Sequence, residues 1–232
     1  MESVNGFARL VDMVRAFRQD EQFELEVVFS TIDLPGGGVP EALWNLLKSR
    51  AKQSVEAGVF DLICEDAPQK DAFFPDGFRS RCQKMGEATY IRKTRAAKVL
   101  ATCPQFPTFR FTFHLKREEP HDIKEATYTE PPLSVRNQVV SEYRYKDMFV
   151  YSFKEVRQGK NPEEASKAPK KFEIEIEMLH NQTMLAERSD TYLAQSLMLK
   201  TTGICPNLDD NNEPQKLALE WEPISGSSNG SA

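Results

Sequence analysis

Two stretches near opposite ends of the chain alternate glutamate with apolar residues so strictly that each reads as a two-faced β-strand. In Phe23 to Phe29, Glu24 and Glu26 are set between Phe23, Leu25, Val27 and Phe29. In Phe172 to Met178, Glu173, Glu175 and Glu177 are set between Phe172, Ile174, Ile176 and Met178. Residues two apart on a strand point to the same side, so each strand has an acidic face and an apolar face. A half-buried sheet with a solvated acidic side satisfies that pattern. A shared site satisfies it too. Carboxylates crowded together raise one another's pKa unless cations neutralise them, and their oxygens are preferred ligands of Mg²⁺, Mn²⁺ and Ca²⁺. If the fold brings the two strands together, they form a hard-cation site.

A third strand repeats the design with the opposite sign. From Phe109 to Lys116 one face holds Phe109, Phe111, Phe113 and Leu115, and the other holds Arg110, Thr112, His114 and Lys116. Three strands with an apolar outside and a charged inside suit a closed barrel, with helices packed on the outside and polar faces lining a lumen. Such a lumen offers carboxylates to a metal and Arg or Lys to phosphate oxygens. The run Tyr90 to Arg95 adds Arg92, Lys93 and Arg95, which cannot all face inward. His114 is the histidine expected on an inward face, hydrogen-bonded to phosphate or carboxylate, whereas His121 and His180 fall at a loop and a strand end.

A length of 232 residues suits one domain and a tail, divided at 1–202 and a flexible 203–232 in which Leu217 to Trp221 has the makings of a short strand. The net charge of −5 excludes a broadly basic surface, so any site for a polyanion is local. Cys64, Cys82, Cys103 and Cys205 fall in no zinc or disulfide spacing, which points to a reduced, intracellular protein. There is no apolar run of membrane-spanning length and no basic stretch followed by an apolar core at the start, so membrane and secretory readings are set aside.

Apolar residues at helical spacing predict helices at 4–19, 40–57 and 183–201, with Pro40 suited to a first turn. Alternation predicts strands at 23–32, 59–64, 77–84, 87–95, 108–117, 134–146, 147–156 and 172–179, and the stretch 158–171 reads as an exposed loop. The Pro35 to Gly38 loop lacks the Lys-Ser/Thr of a phosphate-binding loop and reads as a flexible connection.

The order of these elements resembles the metal-dependent RNA 5′-triphosphatases of the triphosphate tunnel metalloenzyme family, the mRNA-capping type of fungi, protozoa and large DNA viruses. The resemblance rests on a helix followed by the Glu24-Leu25-Glu26 strand and on the Glu173 to Glu177 strand followed by a helix through Tyr192 to Leu197. Basic strands lie between, at Lys93-Thr94-Arg95 and Arg110-Phe111-Thr112. It implies an α+β fold, a closed eight-stranded antiparallel β-barrel with a charged lumen and helices outside. It also implies Mg²⁺ or Mn²⁺ held by Glu24, Glu26 and Glu177. In that scheme Glu173 and Glu175 orient the attacking water or hold basic neighbours, Arg110 and Lys93 act on the γ-phosphate, and Arg95, Lys116, Arg136, Arg144 and Lys146 bind substrate. The implied reaction is γ-phosphate removal from triphosphate-ended RNA, with nucleoside triphosphates as further substrates, a guanylyltransferase as partner and the nucleus as location.

The chain departs from the family's pattern in two strands. Where the family carries Arg-x-Lys-x-Arg-x-Ser-Tyr, this chain reads Arg136 to Tyr143 with Gln138 and Val140 at the cation positions. Arg144 and Lys146 restore charge only in a shifted alignment. The next strand has Ser152 where the family has an aspartate. Lost phosphate contacts of this kind leave a second reading open, a non-catalytic tunnel protein acting as a binding or scaffold subunit, and a third, an α+β domain with solvated acidic strands.

Overall fold

A computed structural model describes residues 6–34, 37–75, 77–83, 89–121, 131–204 and 219–222. Helix α1 (Gly6–Gln19) leads into strand β1 (Phe23–Thr31), and helix α2 (Glu41–Glu56) follows with Pro40 as its N-cap. Six strands come next: β2 (Asp61–Phe73), β3 (Phe78–Gln83), β4 (Thr89–Cys103), β5 (Phe106–His121), β6 (Ser134–Tyr145) and β7 (Phe149–Gly159). The chain continues with α3 (Pro162–Lys167), β8 (Lys171–Met178), α4 (Gln182–Glu187), α5 (Asp190–Ile204) and the two-residue β9 (Glu220–Trp221).

All strand pairings are antiparallel, and they run β1-β5-β4-β3-β2-β6-β7-β8 before returning to β1. The β3–β4 and β8–β1 pairings therefore close an eight-stranded barrel, and β9 lies outside it on the second half of β4. Closure removes the exposed edges that an open sheet presents.

The apolar faces are turned outward under the helices. Leu25, Val27 and Phe29 of β1, Ile174, Ile176 and Met178 of β8 and Phe111, Phe113 and Leu115 of β5 form one continuous core with Leu10, Val14 and Phe17 of α1, Trp44 and Leu47 of α2 and Leu193 and Leu197 of α5. Trp44 fixes α2 to β8 through a hydrogen bond from Nε1 to the Glu173 carbonyl oxygen at 3.2 Å. Arg15 and Arg18 of α1 pair with Asp190 at the start of α5. β9 brings Trp221 against Phe113, with ring centroids 5.5 Å apart, and its neighbour Glu222 accepts a hydrogen bond from Arg110.

The structure revises several boundaries. The strand expected at 59–64 runs from 61 to 73, through a polar stretch with Pro68 that alternation alone does not mark as β. It is irregular at Leu62/Cys64 and Cys64/Ala67, and Asp66 sits at φ 50°, so two registers are joined within one strand. β4 extends eight residues past its expected end at 95, because a bulge between Arg95 and Ala97 turns Val99, Ala101 and Cys103 into the outer core. The exposed loop contains α3, capped by the Asn161 side chain, which accepts from the Glu164 amide. The helix expected at 183–201 is divided at Arg188–Ser189, and the Ser189 hydroxyl accepts from the Tyr192 amide at the head of α5. Expectations at Val4, Pro35, Gly36, residues 84, 87 and 88 and most of 203–232 lie outside the described residues.

Candidate active site

Every strand of the barrel turns polar side chains into a lumen of about 220 Å³ with almost wholly polar walls. The placement follows from alternation, since the faces opposite the buried outer core must point inward. β1 and β8 pair directly, with Glu26 across from Glu177, and β1 pairs on its other side with β5, setting Glu24 across from Lys116 and Glu26 across from His114. The two acidic strands and the basic strand are therefore adjacent.

Each acidic side chain but one on this wall has a cation beside it. Glu24 accepts from Lys93 Nζ at 2.6 Å, and Lys93 also pairs with Glu118. Lys116 pairs with Glu26, Lys154 with Glu175, and Arg136 with Glu173, which also meets Lys171 at 3.0 Å. Glu177 has no hydrogen bond or ion pair among the described residues.

These surroundings separate the carboxyls chemically. Burial pushes Glu177 up, the Glu24 charge adds to it, and the group is raised to about 8. Burial and the charges of Glu175 and Glu24 raise Glu26 to about 7 despite Lys116. Burial also opposes ionisation of Glu175, yet Lys154 outweighs it and holds the group down at about 2. Lys93 does the same for Glu24, which is held below the usual carboxylate range. Burial, followed by the charges of Lys116, Arg95 and Lys98, lowers His114 to about 4, so its imidazole is neutral near pH 7, and its buried Nδ1 has no hydrogen-bond partner among the described residues.

The opposite wall is organised by Asp71 of β2. Its side chain is buried and meets Arg81 Nε at 3.1 Å, Arg79 at 3.7 Å and the Gln138 amide at 2.8 Å. Burial, followed by the Arg81 charge, lowers Arg79. Glu142 accepts from the Ser152 hydroxyl at 3.1 Å.

Of the residues singled out in the sequence, Glu24, Glu26, Lys93, Lys116, Arg136, Glu175 and Glu177 line the lumen. Glu173 lies behind them on Arg136. Four basic residues do not join this wall. Arg110 pairs with Glu222 just beyond β9, and Arg95, across from Lys116, is exposed just before the β4 bulge. The shifted alignment that relied on Arg144 and Lys146 is corrected: Arg144 pairs with Asp61 and Asp147 at the β6–β7 turn, and Lys146 is exposed in that turn at φ 50°. Asp71, Arg79, Arg81, Glu118, Glu142, Ser152 and Lys154 line the lumen without having been assigned roles beforehand. For Arg79 and Arg81 a signal was present in the alternation Phe78-Arg79-Ser80-Arg81.

The donor set fits a hard divalent cation. Glu24, Glu26 and Glu177 are carboxylates on neighbouring strands, and the neighbouring negative charge that adds to burial in raising Glu26 and Glu177 is the charge a dication neutralises. As placed, Glu24 and Glu26 turn toward lysines, and no three His, Cys, Asp or Glu groups stand at ligand spacing among the described residues.

No protein-family model matches the sequence, and no curated protein matches it. Solved structures do match. The Pct1 RNA triphosphatase of S. pombe superposes with a TM-score of 0.68 at 12% identity, covering 85% of this chain and 90% of that one. Pct1 in complex with the Spt5 CTD gives 0.69 at 13%, covering 85% and 91%. The mimivirus capping enzyme triphosphatase gives 0.58 at 13%, covering 85% and 96%. The chain has the tunnel fold of these RNA triphosphatases: a closed eight-stranded antiparallel barrel around a charged lumen, with helices packed outside.

Proposed function

We propose that the chain is a metal-dependent polynucleotide 5′-triphosphatase that removes the γ-phosphate from triphosphate-ended RNA, with nucleoside triphosphates as further substrates. The observation that carries this reading is the division of the lumen: carboxylates of β1 and β8 stand beside cations from β3, β4, β5, β6 and β7. A polyanion needs the cations, and a dication that neutralises it needs the carboxylates.

In this reading Glu24, Glu26 and Glu177 hold Mg²⁺ or Mn²⁺. When bound, the cation polarises a phosphoryl oxygen and offsets charge on the γ-phosphate. Lys93, Lys116 and Arg136 bind phosphate oxygens and stabilise the charge that develops on the transferred group. Water attacks the γ-phosphorus in line, the bond to the β–γ bridging oxygen breaks, and the water's proton leaves with orthophosphate or to solvent. Glu173 and Glu175 keep Arg136 and Lys154 in position through their ion pairs. Closed walls hold the reacting groups in a polar, preorganised setting.

The same reading gives the chain the first step of cap formation, in the nucleus, with its diphosphate-ended product passing to a guanylyltransferase. Support comes from the mimivirus structure, described as the triphosphatase domain of a trifunctional mRNA capping enzyme, and from Pct1 solved with the Spt5 CTD. The test is phosphate release from triphosphate-ended RNA with Mg²⁺ and Mn²⁺ in parallel. Glu24→Ala and Glu177→Ala each abolish release, and unchanged turnover in either variant removes the assignment.

A further inference from the structure

The inward face of β6 carries Arg136, Gln138, Val140 and Glu142, so this strand has no cation between Arg136 and Glu142. Val140 is only 3% exposed and stands outside the main apolar core. Its cross-strand partner on β7 is Lys154, and side chains of such a pair share one face with their Cβ atoms about 4.5–5.5 Å apart. The ammonium of Lys154 therefore enters the lumen one strand away from the place a basic residue at 140 would occupy.

We propose that Lys154 is a phosphate-binding residue of the lumen, supplying from β7 the cation that β6 lacks at Val140. The assignment rests on the triphosphatase reading above and adds to it a phosphate contact from β7 that the reading does not include. Lys154 lines the lumen, and its side chain is 16% exposed. It pairs with Glu175; burial works against the charge, and the Glu175 carboxylate with that of Glu26 keeps the ammonium protonated. An ammonium has three donors, so the pair with Glu175 leaves others for phosphate oxygens. Stability alone is a poor reason for the residue, because buried ion pairs are matched or exceeded by apolar packing of similar volume.

Truncating Lys154 alone would leave Glu175 buried and unpaired, so the decisive comparison removes that charge from both proteins. Glu175→Gln and the double variant Lys154→Thr/Glu175→Gln differ only at residue 154, where the second lacks the ammonium. Each is titrated with inorganic tripolyphosphate by calorimetry, with and without Mn²⁺, after melting curves confirm that both are folded. The expected result is that the double variant binds tripolyphosphate about tenfold to a hundredfold more weakly than Glu175→Gln, the size of one charge-assisted hydrogen bond. Lys154→Arg, which keeps the cation, stays close to the wild type. Equal affinity in the single and the double variant overturns the proposal, as does failure of the wild type and Glu175→Gln to bind. Because the readout is binding, a wild-type protein that binds tripolyphosphate but releases no phosphate from RNA contradicts the proposed activity and not the role of Lys154.

Discussion

Glu26 and Glu177 face each other across the β1–β8 ladder, and both project into the lumen. Burial, followed by the charges of Glu175 and Glu24 on Glu26 and of Glu24 and Glu26 on Glu177, raises them to about 7 and about 8. Their elevation has a definite sign for stability. A carboxyl whose folded pKa lies above its unfolded value binds more protons in the folded state, so stability is fully present below the unfolded pKa near 4.5 and is lost as pH rises through about 8. Without metal, melting temperature should therefore fall between pH 5 and pH 8. Glu177→Gln, which cannot ionise, should flatten that fall and melt a few degrees above the wild type at pH 8. The same variant should lose the stabilisation that Mn²⁺ gives the wild type by binding its folded state. Thermal melts at both pH values, with and without Mn²⁺, check each part.

Asp71 anchors the basic wall from a nearly inaccessible position, with its side chain 1% exposed. Asp71→Ala leaves Arg79 and Arg81 without their shared carboxylate. Removing one partner of a buried ion pair costs about 3–5 kcal/mol, and denaturant unfolding should show a loss of that size. Asp71→Glu keeps the charge and should lose less.

The cations assigned to the lumen differ sharply from those assigned to the rim. Lys116→Ala should lower phosphate release about tenfold to a hundredfold, through loss of a charge-assisted contact. Arg144→Ala and Lys146→Ala remove side chains at the β6–β7 turn that do not line the lumen and should leave the rate within about twofold, consistent with surface changes worth under about 0.5 kcal/mol. A drop for Arg144→Ala as large as that for Lys116→Ala would contradict this placement.

How far the barrel could be read in advance varied strand by strand, for physical reasons. Strands β1, β5 and β8 announce themselves because a charged lumen and a greasy exterior impose strict alternation on their residues. β2 does not, since its outer side carries Pro68 and Lys70, leaving no apolar period to detect. Lys154 and Asp71 were missed because their partners are set by register between strands far apart in the chain. Glu175 is 21 residues from Lys154, and Gln138 is 67 residues from Asp71. Arg95 and Arg110 lie on the expected strands, yet Arg95 is exposed and Arg110 pairs with Glu222 beyond β9, neither of which alternation marks.

Gly6 begins α1 beneath the Trp221 indole. A Cβ at Gly6 would lie 2.5 Å from the Trp221 Cβ and 2.6 Å from its Cγ. Gly6→Ala should therefore destabilise by about 1–3 kcal/mol through overpacking. In a Trp221→Gly background the same substitution should cost much less, since both the Cβ and the indole that clash are gone and neighbouring changes do not add. Chemical denaturation of the two single variants and the double variant measures the coupling.

The central claim is that the lumen hydrolyses a triphosphate end, and the most direct measurement follows RNA labelled at the γ-phosphate through incubation with pure wild-type protein and Mg²⁺ or Mn²⁺. The account predicts release of labelled orthophosphate, an RNA product with a 5′-diphosphate, and loss of both in Glu26→Ala. Retention of the label on the RNA with either metal, by protein shown to be folded, would contradict it.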